Sequence, residues 1–464
     1  MSETTIDSAA VARALEGRVA APVHLPGTDA YTAACTGYQL LAPHRPAAVV
    51  AARDAEDVRA AVAAAASLGV PVAVQATGHG RGAPLEGGVL ISTAAMDEVR
   101  VDPEAGTAWV AAGAPWRRVI AEAAPHGLAP LSGSMPGVGA VAYTLGGGVG
   151  LLSRRHGFAA DHVRRLEVVT PDGVARTATA RSEPELFWAL RGGGGGFGVV
   201  TGMEIGLVPV ERIYGGALYF DTAHVPGVVD AWRRWTATVP EELTSAVTML
   251  PFPDIPALPE PLRGRHVAQV QIAFAGPAEE GARLVAPLRG MGEPLLETLR
   301  DLPYAESGAV FDEPEQPHGY RSRALLLKGV DPGAAAALTE GAGRKAPLMC
   351  VVGLRHLGGA LDRAPRVPNA VRRGGAAYAV SVLSPVEPGQ EDAARDLHAG
   401  LLAPFAPQAV GTPLNFSFGP SDAATVRSAF TPEDHRRLAA LRARLDPHGL
   451  LRTNHPVAPA PEAG

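Results

Sequence analysis

The chain of 464 residues has two cysteines, Cys35 and Cys350, and two lysines, Lys328 and Lys345. Two thiols cannot build a disulfide framework or a cysteine-rich zinc site, and the count allows at most a single Cys35–Cys350 bridge. No lysine follows any of the glycine-rich runs, so a GxxxxGK[ST] phosphate loop is absent. Gly137-Val138-Gly139 starts like a GxGxxG dinucleotide fingerprint but continues Ala140-Val141-Ala142. The N-terminus has no basic start followed by an apolar core, and no apolar run of about 20 residues occurs. A short helix within Met1–Gly17, no membrane span and a cytoplasmic location are therefore expected. A formal net charge of -6 offers no basic face, which argues against nucleic acid as a partner.

Glycine (54) and proline (42) are abundant, and arginine carries nearly all the positive charge, a composition resembling a GC-rich bacterial genome. The length suggests two domains. Asp54 to Asp57 suits a helix start, with a helix over Val58–Ser67 closed by Gly69. Pro71 to Gln75 reads as a buried strand. Short strands follow at 88–92, 99–102 and 107–112, then a helix from Pro115 to Ala124. Strands at 166–170 and 174–179 flank a Pro171-Asp172-Gly173 turn. Ser182 to Glu185 has capping-box spacing ahead of a helix at 186–190, and 199–208 reads as a strand.

From Ile213 to about Pro404 the pattern changes. Strands are expected at 214–220, 245–250, 267–274, 349–354 and 377–383, with helices at 225–236, 278–288 and 391–402. These predict one antiparallel sheet with helices on one face, hence an α+β second domain. His318 and Tyr320 fall in an expected loop. A helix through Leu445 and an Asp446-Pro447 turn precede Arg452-Thr453-Asn454-His455-Pro456, and 458–464 is expected to be disordered.

The densest signal lies between Ser132 and Asp161, where eight glycines fall among small and apolar residues around Gly146-Gly147-Gly148-Val149-Gly150. So many positions without Cβ suggest a backbone lying against a large flat or charged ligand. Upstream, Ala76-Thr77-Gly78-His79-Gly80 sets an imidazole between two glycines at the end of the 71–75 strand. Downstream, Leu186 to Arg191 runs into Gly192 to Gly196 and Phe197-Gly198-Val199-Val200-Thr201.

These three segments, in this order, resemble the flavin-binding half of the berberine bridge enzyme-like family of FAD-linked oxidases, which has the vanillyl-alcohol-oxidase or PCMH-type FAD-binding fold. The resemblance covers roughly Pro46 to Pro209 and returns at the C-terminus. It implies a two-subdomain FAD-binding domain over 1–210, completed by 405–464, and a substrate-binding domain over 211–404. It implies FAD contacts from Gln75, Thr77, Gly78, His79, Gly80, Gly133, Ser134, Gly137, Val138, Gly139, Tyr143, Gly147, Gly148, Gly150, Val200 and Asn454, with no metal. In the family the His79 position bonds covalently to the flavin 8α carbon, an electron-withdrawing link that raises the reduction potential. Bicovalent members add a cysteine where this chain has Met135, so attachment through His79 alone is implied. Gly133 and Val138 match positions that leave the flavin face open to O2. Tyr143 stands where a hydroxyl donates to the flavin pyrimidine ring, or is a half-buried core tyrosine.

Catalytic residues are less clear. The family tyrosine of an L-N-Y segment is Phe416 here, in Leu414-Asn415-Phe416, and phenylalanine has no acidic proton. A second family segment matches Arg372 to Tyr378 without the acid that follows it. The base candidates are Tyr378, His356 and Tyr143, with Arg373 placed to favour a phenolate. The expected function is hydride transfer from a small apolar or polycyclic secondary metabolite, an alcohol or amine, to flavin N5 and then to O2, giving H2O2. Redox-neutral cyclisation or rearrangement, a carbohydrate oxidase, and flavin carriage without turnover are the alternatives. A monomer or homodimer is expected.

Overall fold

A computed structural model describes residues 7–460. The expected N-terminal helix and disordered C-terminus fall partly on 1–6 and 461–464, outside the described residues. Within them, Asp7 caps the helix Ser8–Leu15 by accepting from the Ala9 amide. Three sheets carry the architecture. The first holds β1 (Val23–His24), β2 (Ala48–Ala51), β3 (Val72–Gln75) and β4 (Val89–Ser92) in the order β1-β2-β4-β3, with β2, β4 and β3 parallel. The helix Ala55–Leu68 covers it, capped by Asp54 and ended by Gly69 in the left-handed region.

The second sheet is antiparallel, β5-β6-β9-β7-β8, from β5 (Val99–Asp102), β6 (Thr107–Ala111), β7 (Val163–Val169), β8 (Ala175–Ala178) and β9 (Val199–Gly206). The third has nine strands: β10 (Arg212–Asp221), β11 (Leu243–Pro251), β12 (His266–Phe274), β13 (Leu296–Glu297), β14 (Arg300–Pro303), β15 (Tyr320–Leu327), β16 (Val351–His356), β17 (Tyr378–Pro385) and β18 (Ala409–Gly411). Its order is β13-β10-β12-β11-β16-β17-β15-β18, with β14 also pairing β10. The helices Val228–Thr236, Ala278–Arg289, Pro332–Gly341 and Glu391–Leu402 pack one of its faces through Val229, Trp232, Leu288, Leu338 and Leu402 against Val247, Val270, Val352 and Val380. This is the mixed helix-and-sheet class expected from the sequence.

Several local expectations are corrected. No capping box forms at 182–185; the helix Pro184–Leu190 starts at its proline, after Glu183 at φ 51, without a side-chain cap. Tyr320 begins a nine-stranded-sheet strand rather than lying in a loop, and Pro332–Gly341 is a helix the sequence reading left unassigned. Leu414–Phe416 is a single 3₁₀ turn. Cys35 and Cys350 are buried and unpaired.

The C-terminal segment returns to the first sheet, where the Val72 amide donates to Leu450 O and the Arg452 amide to Val72 O. Asp446 fixes this return. Its carboxylate accepts from the Leu450 and Leu451 amides (2.6 and 2.9 Å) and pairs with Arg442 at 2.9 Å, with both side chains buried. Arg442 also donates to Leu451 O and Gly196 O. Asp446→Ala leaves a buried guanidinium uncompensated and should destabilise the protein by about 3–5 kcal/mol. Urea unfolding checks this; a loss below about 1 kcal/mol would mean the return is held elsewhere.

Candidate cofactor and substrate site

β3 is an edge strand, and its side chains border a cavity of about 1110 Å³. Val74 is 42% exposed there, an apolar side chain on a strand whose outer edge is met only by the returning segment at Leu450–Arg452. Beyond Gln75 the chain turns through Gly78 at φ +76, where a Cβ would sit 2.7 Å from Gly37 Cα. Only glycine fits that contact, which lets the Tyr38 and Gln39 amides donate to Thr77 O and Gly78 O. The result fixes His79. Its ring stacks on Tyr38 at 3.8 Å and 16°, and Nδ1 lies 2.7 Å from Thr77 Oγ1. Nε2 is buried without a partner among the described residues. Burial first, then the charges of Arg117 and His318, lowers the His79 pKa to about 4, so the ring is neutral at neutral pH.

The cavity continues past Gly133, Ser134, Val138, Gly139 and Tyr143, along Gly192 to Gly195 and Val200, to the C-terminal segment 451–456. A Cβ at Gly194 would meet nothing within 4 Å, and one at Gly195 only Leu145 Cδ1 at 3.9 Å. These two glycines keep cavity space open. Gly137, Gly147, Gly148 and Gly150, expected as cofactor contacts, do not line it. Gly148 and Gly150 are glycines for internal packing: a Cβ would fall 2.4 Å from Tyr143 Cε1 and 1.8 Å from Ser132 O, respectively. Asn454 lines the cavity, but its amide is committed to the His79 loop. Oδ1 accepts from Gly82 N at 2.9 Å and Nδ2 donates to Gly80 O at 3.0 Å.

Across the cavity stands the nine-stranded sheet. Strand alternation divides its residues. Thr248, Gln269, Gln271, Val351, Gly353, Arg355, Ser381 and Leu383 face the cavity. Tyr378 and His356 do not. They are register partners whose rings lie against each other on the helix side (5.7 Å, 27°). The Tyr378 hydroxyl shares a 2.6 Å hydrogen bond with Thr236 Oγ1, and His356 Nε2 lies 2.5 Å from Arg154 Nη1. Burial and the Arg154 charge lower the His356 pKa to about 3. Arg373 is paired with Asp161 and packs over Phe158, 4.8 Å from the ring, outside the cavity lining. These placements correct the expectation that Tyr378 or His356 serves as base and that Arg373 favours a phenolate beside it.

Tyr143 does line the cavity, edge-on to Trp116 at 5.5 Å. Its hydroxyl is buried without a partner, and burial pushes its pKa up, so it is a neutral donor rather than a base. The sequence reading missed Tyr38, Glu313, Tyr320 and Arg355, all of which border the cavity. The Tyr320 hydroxyl accepts from the Gly80 amide at 2.9 Å. Its signal was the Tyr-x-Ser-x-Ala alternation of β15, obscured by the intervening arginines. No cysteine lines the cavity among the described residues; Met135 does.

The fold is of the PCMH type found in FAD-binding proteins. Residues 46–179 match the FAD binding domain family. The chain is 27% identical over 436 residues to (R)-6-hydroxynicotine oxidase of Paenarthrobacter nicotinovorans, covering 89% of this chain and 92% of that one. It is 38% identical over 175 residues to the FAD-dependent monooxygenase FUP4 of Fusarium proliferatum (strain ET1), 37% of this chain and 34% of FUP4. The match thus spans about a third of the length of that relative. Among solved structures, 6-hydroxy-D-nicotine oxidase from Arthrobacter nicotinovorans aligns with a TM-score of 0.82 at 24% identity, over 95% of this chain and 98% of that one. A xylooligosaccharide oxidase from Myceliophthora thermophila C1 aligns with a TM-score of 0.84 at 22% identity, over 97% and 100%. By name the two sequence relatives are an oxidase and an FAD-dependent monooxygenase; the two structural likenesses establish the fold.

The residues present fit FAD: an orphaned imidazole nitrogen, two glycines with open space beyond them, and a cavity of about 1110 Å³, just above the ~300–1,000 Å³ typical of ligand pockets. Gly195→Leu would drive a side chain into that space. The variant should fold, because nothing but Leu145 is near its Cβ, yet be purified with little or no flavin. Full flavin content by absorbance would show that the cofactor does not lie against Gly195.

Proposed function

We propose that the protein is an FAD-linked oxidase acting on a small apolar or polycyclic metabolite, an alcohol or amine. The observation that carries this reading is one continuous cavity, bordered at one side by the neutral His79 ring and the glycines 192–195 and at the other by the sheet. FAD, when bound, supplies the two-electron acceptor, taking a hydride from a substrate carbon and passing the electrons to O2 as H2O2. Leu250, Phe252, Leu258, Leu262 and Met349 give the sheet side an apolar lining suited to such a substrate. Tyr143 donates its unpaired hydroxyl toward the cofactor. Proton acceptance falls to Glu313, which borders the cavity, rather than to Tyr378 or His356. The proposed division is an FAD-binding domain over 1–210 with 405–464 and a substrate-binding domain over 211–404, although β18 (Ala409–Gly411) pairs with β15 of the nine-stranded sheet.

We also propose that His79 holds the flavin covalently at its 8α carbon, and that this is the sole link. The tautomer that donates Nδ1–H to Thr77 Oγ1 presents the Nε2 lone pair as a nucleophile. Acid-precipitated protein should stay yellow and yield one flavin-bearing peptide containing His79. His79→Ala should leave FAD dissociable with the fold intact. The His79 pKa is lowered, so attachment of FAD to apoprotein should be pH-independent above about pH 5 and slow as the ring protonates near 4. Release of all FAD on acid precipitation of the native protein overturns the covalent reading.

A second reading, redox-neutral cyclisation or rearrangement, draws on Phe416, which lines the cavity where the resembling family has a tyrosine. Anaerobic bleaching of the flavin by a screened set of alcohols, amines and polycyclic phenols separates the two, since a redox-neutral catalyst shows none. With a compound that bleaches, Tyr378→Phe should change the reduction rate less than about two-fold. Loss of a true general base lowers such a rate about 10²–10⁴-fold. A drop of that size in Tyr378→Phe would restore its role as base.

A further inference from the structure

Four arginines are almost fully buried, and each donates to at least two oxygen acceptors. Arg81 donates to Thr36 O, Gln39 O and Gln75 Oε1. Arg154 donates to Leu243 O and Leu357 O, Arg191 to Phe187 O and Pro368 O, and Arg442 to Leu451 O and Gly196 O. Arg355 differs. Strand parity points its guanidinium into the cavity, and it makes no hydrogen bond among the described residues. Phe311 and Phe416 lie against it, 4.6 and 4.9 Å from ring centre to guanidinium carbon. The nearest carboxylate, Glu313 Oε1, is 4.0 Å from Nη2, beyond hydrogen-bonding distance, on a side chain 36% exposed.

A guanidinium carries five N–H donors in a fixed fork. Aromatic rings attract its charge but offer those donors no oxygen acceptor. The Arg355 fork therefore opens on the cavity with its donors unmet, while 22% of the side chain stays accessible. A planar oxyanion matches such a fork in charge and in spacing. Phe416 stands in the same contact and occupies the sequence position where the resembling family carries its tyrosine, which ties Arg355 to the reacting part of the cavity.

We infer that Arg355 anchors the substrate, and that the substrate carries an oxyanion, a carboxylate or an ionised phenol or enol, held by this guanidinium. The inference rests on the flavin-linked reading above and narrows it from an apolar metabolite to an apolar acid. Glu313 Oε1 lies 4.0 Å from the guanidinium, so a bound oxyanion has to gain more from the unmet donors than it loses to that carboxylate, whereas a neutral ligand gains only weaker hydrogen bonds.

The experiment uses flavin-loaded protein and two probes of one shape, benzoate and benzamide, with binding followed by flavin absorbance and by calorimetry. Benzoate should bind wild type about ten-fold or more tightly than benzamide. Arg355→Met should abolish that preference with benzamide binding unchanged, and Arg355→Lys should keep part of it. Equal binding of the two probes by wild type, or a preference that survives in Arg355→Met, overturns the inference. If Arg355→Met does not fold, the wild-type comparison and Arg355→Lys decide: a charged lysine that binds both probes equally alongside a wild type that does the same also overturns it. Loss of flavin from Arg355→Met together with no benzoate preference in wild type would place the guanidinium against the cofactor instead. Flavin content, measured on the same samples, separates the claims. Flavin-free wild type overturns the proposed function and the inference with it, whereas flavin-loaded wild type without the preference overturns the inference alone.

Discussion

Buried guanidinium-to-carbonyl contacts hold this fold together where regular secondary structure cannot. A glycine-rich loop has few side chains with which to pack, and its backbone loses much entropy on ordering. Arg442 ties the 192–196 loop to the C-terminal return, Arg191 ties the end of helix Pro184–Leu190 to the segment at 367–368, and Arg81 gathers the loop at 35–41 beneath His79. Each contact satisfies a charged donor with backbone acceptors, so the cost of burying the charge is offset and the loop acquires a single conformation. A chain with two lysines is consistent with this use: a lysine head has no planar fork with which to reach several carbonyls at once. These contacts fix the cavity wall on the His79 side.

The opposite wall obeys a different constraint. On β16 and β17, successive side chains alternate between a helix-packed core and the cavity, so a one-position difference moves a residue from structure to chemistry. His356 and Arg355 are neighbours in sequence with opposite fates. His356 joins Arg154 on the core side, while Arg355 faces the ligand space. Likewise Val380 packs in the core and Ser381 borders the cavity. Reading chemistry by residue type alone favoured His356 and Tyr378, because imidazole and phenol are the familiar proton carriers. Parity along the strand, visible in Val351-Val352-Gly353-Leu354-Arg355-His356, was the signal that separates them, and it becomes decisive only once register with β17 is known.

The first half of the chain was legible because its motifs are local. The strand into Thr77-Gly78-His79, the glycine core and the Leu186 to Thr201 run each encode a turn or close approach within a few residues. Even there, glycine meant two things. At Gly194 it leaves room for a ligand; at Gly148 and Gly150 it lets Tyr143 and Ser132 approach the backbone. Sequence shows the missing Cβ and not what would have met it. The second half was legible as strands and helices but not as a site. Its cavity residues come from seven strands and from connections that include 252–262 and 311–318, and non-local pairing of β15 with β17 and β18 placed Tyr320 beside Gly80, more than two hundred residues away.

These two walls imply a division in how the protein can change. The flavin side depends on backbone positions, tight glycine contacts and an Asn454 amide that holds the His79 loop, so a substitution there disturbs several contacts at once. The sheet side presents side chains from a scaffold whose hydrogen bonds lie in the ladder and whose stability comes from the opposite face. Thr248, Gln269, Ser381 or Leu383 can be exchanged without touching the Trp232 and Val247 core, because neither the backbone pairing nor the buried face changes. Arg355 is the exception on that wall. Packed against Phe311 and Phe416 and near Glu313, it has neighbours from two separate segments, and its charge is the feature of the sheet side that a repacked apolar lining cannot reproduce.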